Sequence, residues 1–330
     1  MASRPPFSQL PLRRDGPPGN AWGLYGGADQ LGTLNLLTPA VVAAAAAGEI
    51  RDGTRVSTDW SLTSMTPPWF GRRAAEHTIQ HKAPRIVNDD EIVLNTQSSS
   101  QWDGLRHYGY QKEGLFYNAV TQADIMDSDV NGIQGIFRPT WVNWEPKAWA
   151  EAGGIVGRGV LIDYASWADS QNIPVEPFET ESITTATLDA IASSQGTTFH
   201  SGDILFIRSG WTRAYNGLDA AQRAAAAKVM PPRAIGLESS KVTLKWLWER
   251  EFAAVAGDHP SMEAWPCQNP GAQIHQWLLA GWGMPIGELF DLEELSRACA
   301  RRQRWSFFFS SVPLKVPGGV ASPPNGVAIF

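Results

Sequence analysis

The sequence predicts an α/β fold built from β-rich mixed sheets with flanking helices, and three observations carry that prediction. Short apolar runs bounded by turn formers stand at 158–163, 203–208 and 252–257, as the buried strands of a sheet do. Helical patterns lie between and after them, at 184–194, 219–229 and 238–250, which is the alternation of α/β architecture. The stretch ahead of these segments is richer in strand than in helix patterns. A chain of 330 residues can bury a sizeable core, and we read it as a single domain, residues 21–330, preceded by an extended arm, residues 1–20.

The arm is rich in proline, glycine and arginine, with Pro5-Pro6 and Pro17-Pro18, a composition suited to wrapping a neighbouring surface. Thr38 supplies an N-cap and Pro39 a first-turn proline for a helix that the alanine run propagates and Gly48 stops. Residues 55–60 alternate in polarity as a half-buried strand does, and 91–97 form a second strand that empties into a polar cluster. The helix over 238–250 turns Val242, Leu244, Trp248 and Phe252 to one side. Asp291 and Glu294 make a capping box that opens a late helix, and 305–312 closes the chain as an aromatic strand.

A net charge of −6 with no Lys/Arg cluster lacks the basic footprint of a nucleic-acid surface. Two cysteines, Cys267 and Cys299, are too few for a disulfide framework and lack zinc-cluster spacing, so they read as thiols in a reducing compartment. The N-terminus has no apolar signal region and no stretch reaches the length of a membrane span, so a soluble, cytoplasmic protein without membrane contact is expected. No glycine-rich phosphate loop follows a strand, which speaks against a nucleotide cofactor. The fifteen tryptophans supply core volume first and flat ligand walls second; Trp60, Trp69, Phe70 and Tyr108 are the candidate walls for a planar small-molecule substrate.

The chemistry concentrates in residues 97–107. Gln97, Gln101, Asp103 and His107 all carry odd numbers, so an extended backbone running into a loop gathers their side chains in one pocket. Such a pocket could hold a metal, or it could do acid and base work without one. On spacing alone Asp103-Gly104 is equally a plain turn, with the glutamines satisfying backbone groups. His275, ahead of an apolar run, and Glu288, at the end of a short strand-like step, form a second constellation; singly, each reads as a hydrogen-bonded core histidine and a helix-terminal carboxylate.

Taken together these residues resemble the cyclase family of hydrolytic enzymes that includes bacterial kynurenine formamidases and isatin hydrolases. Blocks at 22–39, 159–163, 202–211 and 256–261 match in family order, and the resemblance spans roughly residues 20–312. The family signature is His-x-x-x-His-x-Asp-x-x-x-His, and here Asp103 and His107 occupy its last two positions while Gln97 and Gln101 replace the two histidines. His275 and Glu288 match the later pair. The resemblance implies the swivelling β/β/α fold, a homodimer or homotetramer, and one divalent ion (Mn, Mg or Zn) on Asp103, His275 and Glu288, a site that the glutamines weaken because a carboxamide oxygen binds such ions less well than imidazole. It further implies hydrolysis of an amide, lactam or ester of a small aromatic or polyketide-like metabolite, with His107 as general base. Without a metal, His107 with Asp103 or Glu288 gives an acid–base pair and the glutamine amides give oxyanion donors, which suits a cyclase, isomerase or dehydratase of secondary metabolism. A non-catalytic small-molecule binding protein is the reading of another class.

Overall fold

The computed structural model describes residues 4–133 and 148–330. In chain order the strands are β1 (Arg55–Ser57), β2 (Glu76–His81), β3 (Asn88–Val93), β4 (Gln101–Asp103), β5 (Ile155–Ile162), β6 (Ser182–Ile183), β7 (Ile204–Ile207), β8 (Gly236–Leu237), β9 (Ala254–Gly257), β10 (Ile286–Glu288), β11 (Ser306–Ser311), β12 (Ala321–Ser322) and β13 (Gly326–Ile329). The helices are α1 (Pro39–Glu49), α2 (Gln122–Asp127), α3 (Tyr164–Gln171), α4 (Thr185–Gln195), α5 (Trp211–Asn216), α6 (Ala220–Ala226), α7 (Lys241–Glu249) and α8 (Glu293–Arg302). A π-helix covers Gln276–Trp282.

One nine-stranded mixed sheet organises the chain, in the order β1-β13-β11-β5-β7-β9-β10-β4-β12. Its centre is parallel, because β5, β7, β9 and β10 are joined by crossovers that carry helices, and its two wings are antiparallel. The apolar runs at the centre are buried on both faces. In β7, Leu205 and Ile207 pack with Ile162, Val255 and Ile286 on one side, while Ile204 and Phe206 pack with Trp102, Phe307 and Phe309 on the other. The structure is thus the mixed α/β sheet with flanking helices that the sequence predicts.

Several elements differ in detail. Helix α1 is capped by the Thr38 hydroxyl, which accepts from Val41 N–H, but it runs through Gly48 to Glu49. Glu49 is mostly buried and pairs with Arg158 and Arg304, and this tertiary anchor carries the last turn past the glycine. The strand expected over 91–97 is instead β3, the exposed second strand of a β2–β3 hairpin that ends at Val93. In α7, Val242 faces solvent, and Thr243, Leu244, Trp246, Leu247 and Trp248 form the buried face. The capping box at 291–294 does not form: α8 starts from Leu292 without a side-chain cap, and Asp291 Oδ1 accepts only from Glu293 N–H at 3.2 Å. The aromatic strand β11 does not close the chain; β12 and β13 follow and complete the antiparallel wings.

Residues 4–20 lie along the protein's own surface. Arg4 stacks over Trp248 and donates to its carbonyl, Trp248 Nε1 donates to Pro5 O, Phe7 stacks on Trp277, and Trp282 Nε1 donates to Gly19 O. Among the described residues no helix is long and apolar enough to cross a membrane.

Candidate active site

Strand β4 places the first cluster. Alternation along it sends Gln101 and Asp103 to one face and Trp102 to the other, where the Trp102 ring packs on Phe290 and its Nε1 donates to Ser311. The antiparallel neighbour β10 sets Glu288 directly opposite Gln101 and Ile286 opposite Asp103, so Glu288 joins the same face. The chain then turns sharply. Gly104 N–H bonds to Val320 O, and a Cβ at Gly104 would stand 2.7 Å from that oxygen, so the turn that follows needs glycine there. His107 N–H closes it onto Gly104 O, which brings the imidazole back over Asp103. Gln97 comes from the opposite direction, in a bend fixed by Asn95 Oδ1 on its N–H and by Arg72 Nη1 on its carbonyl. His275 precedes the π-helix Gln276–Trp282.

These side chains converge. Asp103 Oδ2 lies 3.9 Å from His107 Nε2 and 4.0 Å from His275 Nε2, and it has no hydrogen-bond partner. Asp103 Oδ1 accepts from the Gln97 amide at 2.7 Å and stands 3.5 Å from that of Gln101. Gln97 Nε2 is also 2.8 Å from His107 Nδ1, and Gln101 Nε2 donates to Glu288 Oε2 at 2.9 Å. His275 is held from two sides, by Glu263 Oε2 at 2.6 Å from Nδ1 and by Glu288 Oε1 at 3.1 Å from Nε2. Glu288 Oε1 accepts in addition from Met262 N–H.

The electrostatics follow from these contacts. Burial pushes His107 below the usual imidazole range, with the Asp103 carboxylate opposing and His275 and Arg72 reinforcing the shift. Burial also works against charge on His275, yet the Glu263 and Glu288 carboxylates outweigh it and hold the ring well above the ordinary value. His107 is the way in: a fifth of its side chain is exposed, against 7% for His275 and none for Asp103.

The expected aromatic walls divide. Trp60 and Trp69 are buried in a core cluster with Trp211, Tyr215 and Phe178. Tyr108 is half-buried, 5.5 Å from the His275 ring, and Phe70 is half-buried against Trp265 and Arg72. Glu263 was not singled out from the sequence. It sits in an irregular segment with no periodicity to mark it, held by the bridges Leu237–Glu263 and Ala234–Trp265, and its carboxylate reaches His275 Nδ1 at 2.6 Å.

Residues 60–264 match the model of the Cyclase family. The chain belongs to the cyclase family. A crystal structure described as a novel cyclase shares 30% identity with it over 94% of this chain and 99% of that one, with a TM-score of 0.77. Isatin hydrolase A from Labrenzia aggregata, bound to benzyl benzoate, shares the fold at 16% identity, covering 90% of this chain and 98% of that one with a TM-score of 0.57. Isatin hydrolase A from Ralstonia solanacearum does so at 17% identity, with 88% and 97% covered and a TM-score of 0.55. Comparison with curated proteins gives no match. Membership supports an enzyme of the cyclase-family, hydrolase-like kind.

The family resemblance raises the question of a metal. Asp103, His107 and His275 form a candidate Asp/His site, with ligand atoms all within 4.8 Å of one another; Glu288, expected as a ligand, stands outside that group and spends both oxygens on His275, Gln101 and Met262 N–H. Asp103 Oδ2 and Gln101 Oε1 are buried acceptors without partners, which a cation would relieve. The remaining donor chemistry does not fit one. The His107 Nδ1 lone pair faces an amide N–H, both His275 nitrogens face carboxylates, and each glutamine nitrogen, lying beside carboxylate oxygens, turns N–H rather than C=O toward them. Metal ligation needs deprotonated nitrogen lone pairs aimed inward, and this cyclase-family site instead turns N–H donors toward Asp103 Oδ1 and both oxygens of Glu288.

Proposed function

We propose that this cyclase-family enzyme hydrolyses an amide, lactam or ester bond of a small aromatic or polyketide-like molecule, with Asp103 and His107 as its proton-transfer and hydrogen-bonding pair in place of a metal-bound water. The observation that carries the reading is the buried, partnerless Asp103 Oδ2, 3.9 Å from the imidazole Nε2 of His107, a separation that a water or carbonyl oxygen lying to one side can bridge. A carboxylate oxygen without a donor in a closed site is an available base, and the Gln97 and Gln101 amides hold its other oxygen so that Oδ2 keeps its aim. Tyr108 and Phe70, both partly exposed, supply flat surface for an aromatic substrate.

The test is turnover on a panel of isatin, aryl formamides and aryl esters, run in ¹⁸O-water. Hydrolysis places the label in the product acid. Replacing His107 by Ala is expected to lower kcat by about 100-fold or more. Treatment with a chelator is expected to leave the rate unchanged, with no stoichiometric metal in the purified protein; a Mn, Mg or Zn ion whose removal abolishes turnover would overturn the metal-independent reading.

One observation supports a second reading. A carboxylate opposite an imidazole of lowered pKa also suits proton transfer next to a carbonyl, as in a metal-independent cyclase, isomerase or dehydratase. In that case deuterium from solvent enters a carbon of the substrate and no ¹⁸O enters the acid. A non-catalytic binder would show neither, and its ligand affinity would survive His107→Ala. The proposal includes a homodimer or homotetramer, whose mass light scattering checks.

A further inference from the structure

We infer that Gln97 is a positioning residue that fixes His107 as the neutral tautomer protonated on Nε2, so that the imidazole is a hydrogen-bond donor and Asp103 Oδ2 is the base. This reverses the role expected for His107 from the sequence. It rests on the acid–base reading above and deepens it by assigning direction to the pair.

The argument is a count of protons and lone pairs. Gln97 Nε2 lies 2.7 Å from Asp103 Oδ1 and 2.8 Å from His107 Nδ1, and an amide nitrogen carries two hydrogens, one for each contact. A carboxylate oxygen only accepts, so the face of Gln97 that touches Asp103 must be its NH₂; turned round, the amide oxygen would stand 2.7 Å from the Asp103 oxygen with no hydrogen between them. Nδ1 therefore faces an N–H and cannot carry a proton of its own. The ring is neutral, its single hydrogen is on Nε2, and Nε2 lies 3.9 Å from Asp103 Oδ2, too far for a direct hydrogen bond and close enough for one group lying to the side to touch both. Gln97 is itself fixed at both ends of its peptide, by Asn95 and Arg72.

The chemistry closes without a charged imidazole. As water adds to the substrate carbonyl, its oxygen pair forms the new C–O bond, one water proton passes to Asp103 Oδ2, and the carbonyl π pair moves onto oxygen, where His107 Nε2–H donates a hydrogen bond to it. The pair then returns to re-form C=O, the C–N or C–O bond breaks with its electrons leaving on the heteroatom, and the proton on Asp103 transfers to that atom. Asp103 ends as it began, and His107 neither gains nor loses a proton.

The experiment is ¹⁵N NMR of the full chain carrying ¹⁵N-histidine. There are six histidines, and the His107 signals are assigned by their loss in His107→Gln. Near neutral pH the wild type is expected to show His107 Nδ1 at the shift of a bare nitrogen and Nε2 at that of a protonated one. In Gln97→Glu, which keeps the side-chain shape and replaces the donor by an acceptor, Nδ1 is expected to gain a proton, with or without one remaining on Nε2. A wild-type ring protonated on Nδ1, or on both nitrogens, overturns the inference, as does a Gln97→Glu ring whose Nδ1 stays bare. The wild-type spectrum decides the tautomer even if the variant fails to fold. Loss of turnover in His107→Ala beside an Nδ1–H wild-type ring would leave the acid–base reading standing and sink only this one, whereas full turnover in His107→Ala beside the assigned tautomer would sink the acid–base reading itself.

Discussion

His275 lies between Glu263 and Glu288 with 7% of its side chain exposed, so its charge is stabilised almost wholly by protein groups. Removing one member of such a buried set leaves the others uncompensated. Glu263→Ala is therefore expected to cost about 3 kcal/mol of folding stability in urea denaturation, and Glu263→Gln less, because the amide still reaches Nδ1. The pH dependence has a definite sign. A histidine whose native pKa is raised contributes stability that is fully present below the unfolded value of 6.5 and is lost as pH rises through the native value. The wild-type advantage over Glu263→Gln should thus be greatest at mildly acid pH and shrink in alkali; an advantage that grows with pH would contradict the assignment. Asp59 loses stability in the same direction for a different reason, because here the fold disfavours the charged form. Burial pushes its carboxyl from 3.8 up to about 6, Gly326 N–H satisfies one oxygen, and Oδ1 has no partner. Stability is lost as pH rises from about 4 through about 6, so Asp59→Asn should stabilise the protein above pH 6 by about 1 kcal/mol, allowing for partial exposure, and should gain nothing near pH 4. Asp103 and His107 were legible as candidates because their spacing is local. Glu263 was not, since nothing near it in the chain refers to His275.

At the scale of elements, the strands with continuous apolar runs were readable because burial on both faces leaves a mark on every residue, as in β7 and β9. Segments whose partners are distant misled. Of the strand expected at 91–97 only 91–93 form one, in an exposed hairpin whose twelve strand residues all face solvent, and at 291–294 only Asp291 reaches the helix terminus while Glu293 pairs with Arg208, and Glu294 with Arg297 and Arg301. The π-helix that follows His275 left no sequence signal at all. It ends at Gly283, whose left-handed backbone presses against the Gly32 turn; Thr33 N–H bonds to Gly283 O, and a Cβ on Gly32 would fall 1.8 Å from that oxygen. Gly32 has a φ of +58, so alanine there meets both strain and collision. Gly32→Ala is expected to destabilise by more than about 3 kcal/mol, read by denaturant titration, and an effect below about 1 kcal/mol would show that the two turns do not meet as described.

Across the whole molecule the N-terminal residues connect parts that the sequence kept apart. Arg4 over the Trp248 ring at 3.8 Å ties the arm to α7, and Phe7 stacked on Trp277 at 5.9 Å ties it to the π-helix two residues beyond His275. Deleting residues 1–15 removes a buried aromatic contact and a cation–π pair, so a loss of about 3 kcal/mol is expected in thermal or urea unfolding. Unchanged stability would mean the arm is held elsewhere. The amino-acid sequence by itself determined the α/β class and most of the helices and central strands, which rest on local periodicity, and the family, which rests on motif blocks in a shared order; it named Asp103 and His107 as candidates by their spacing, and His275 and Glu288 through the family resemblance. Only the tertiary structure decided which atoms of those side chains are spoken for. The aim of the Gln97 and Gln101 amides, the bare oxygen of Asp103 and the pairing of His275 with Glu263 depend on groups up to 187 residues apart in the chain being brought within hydrogen-bond reach, and a hydrogen bond is set by that last ångström of approach rather than by residue type.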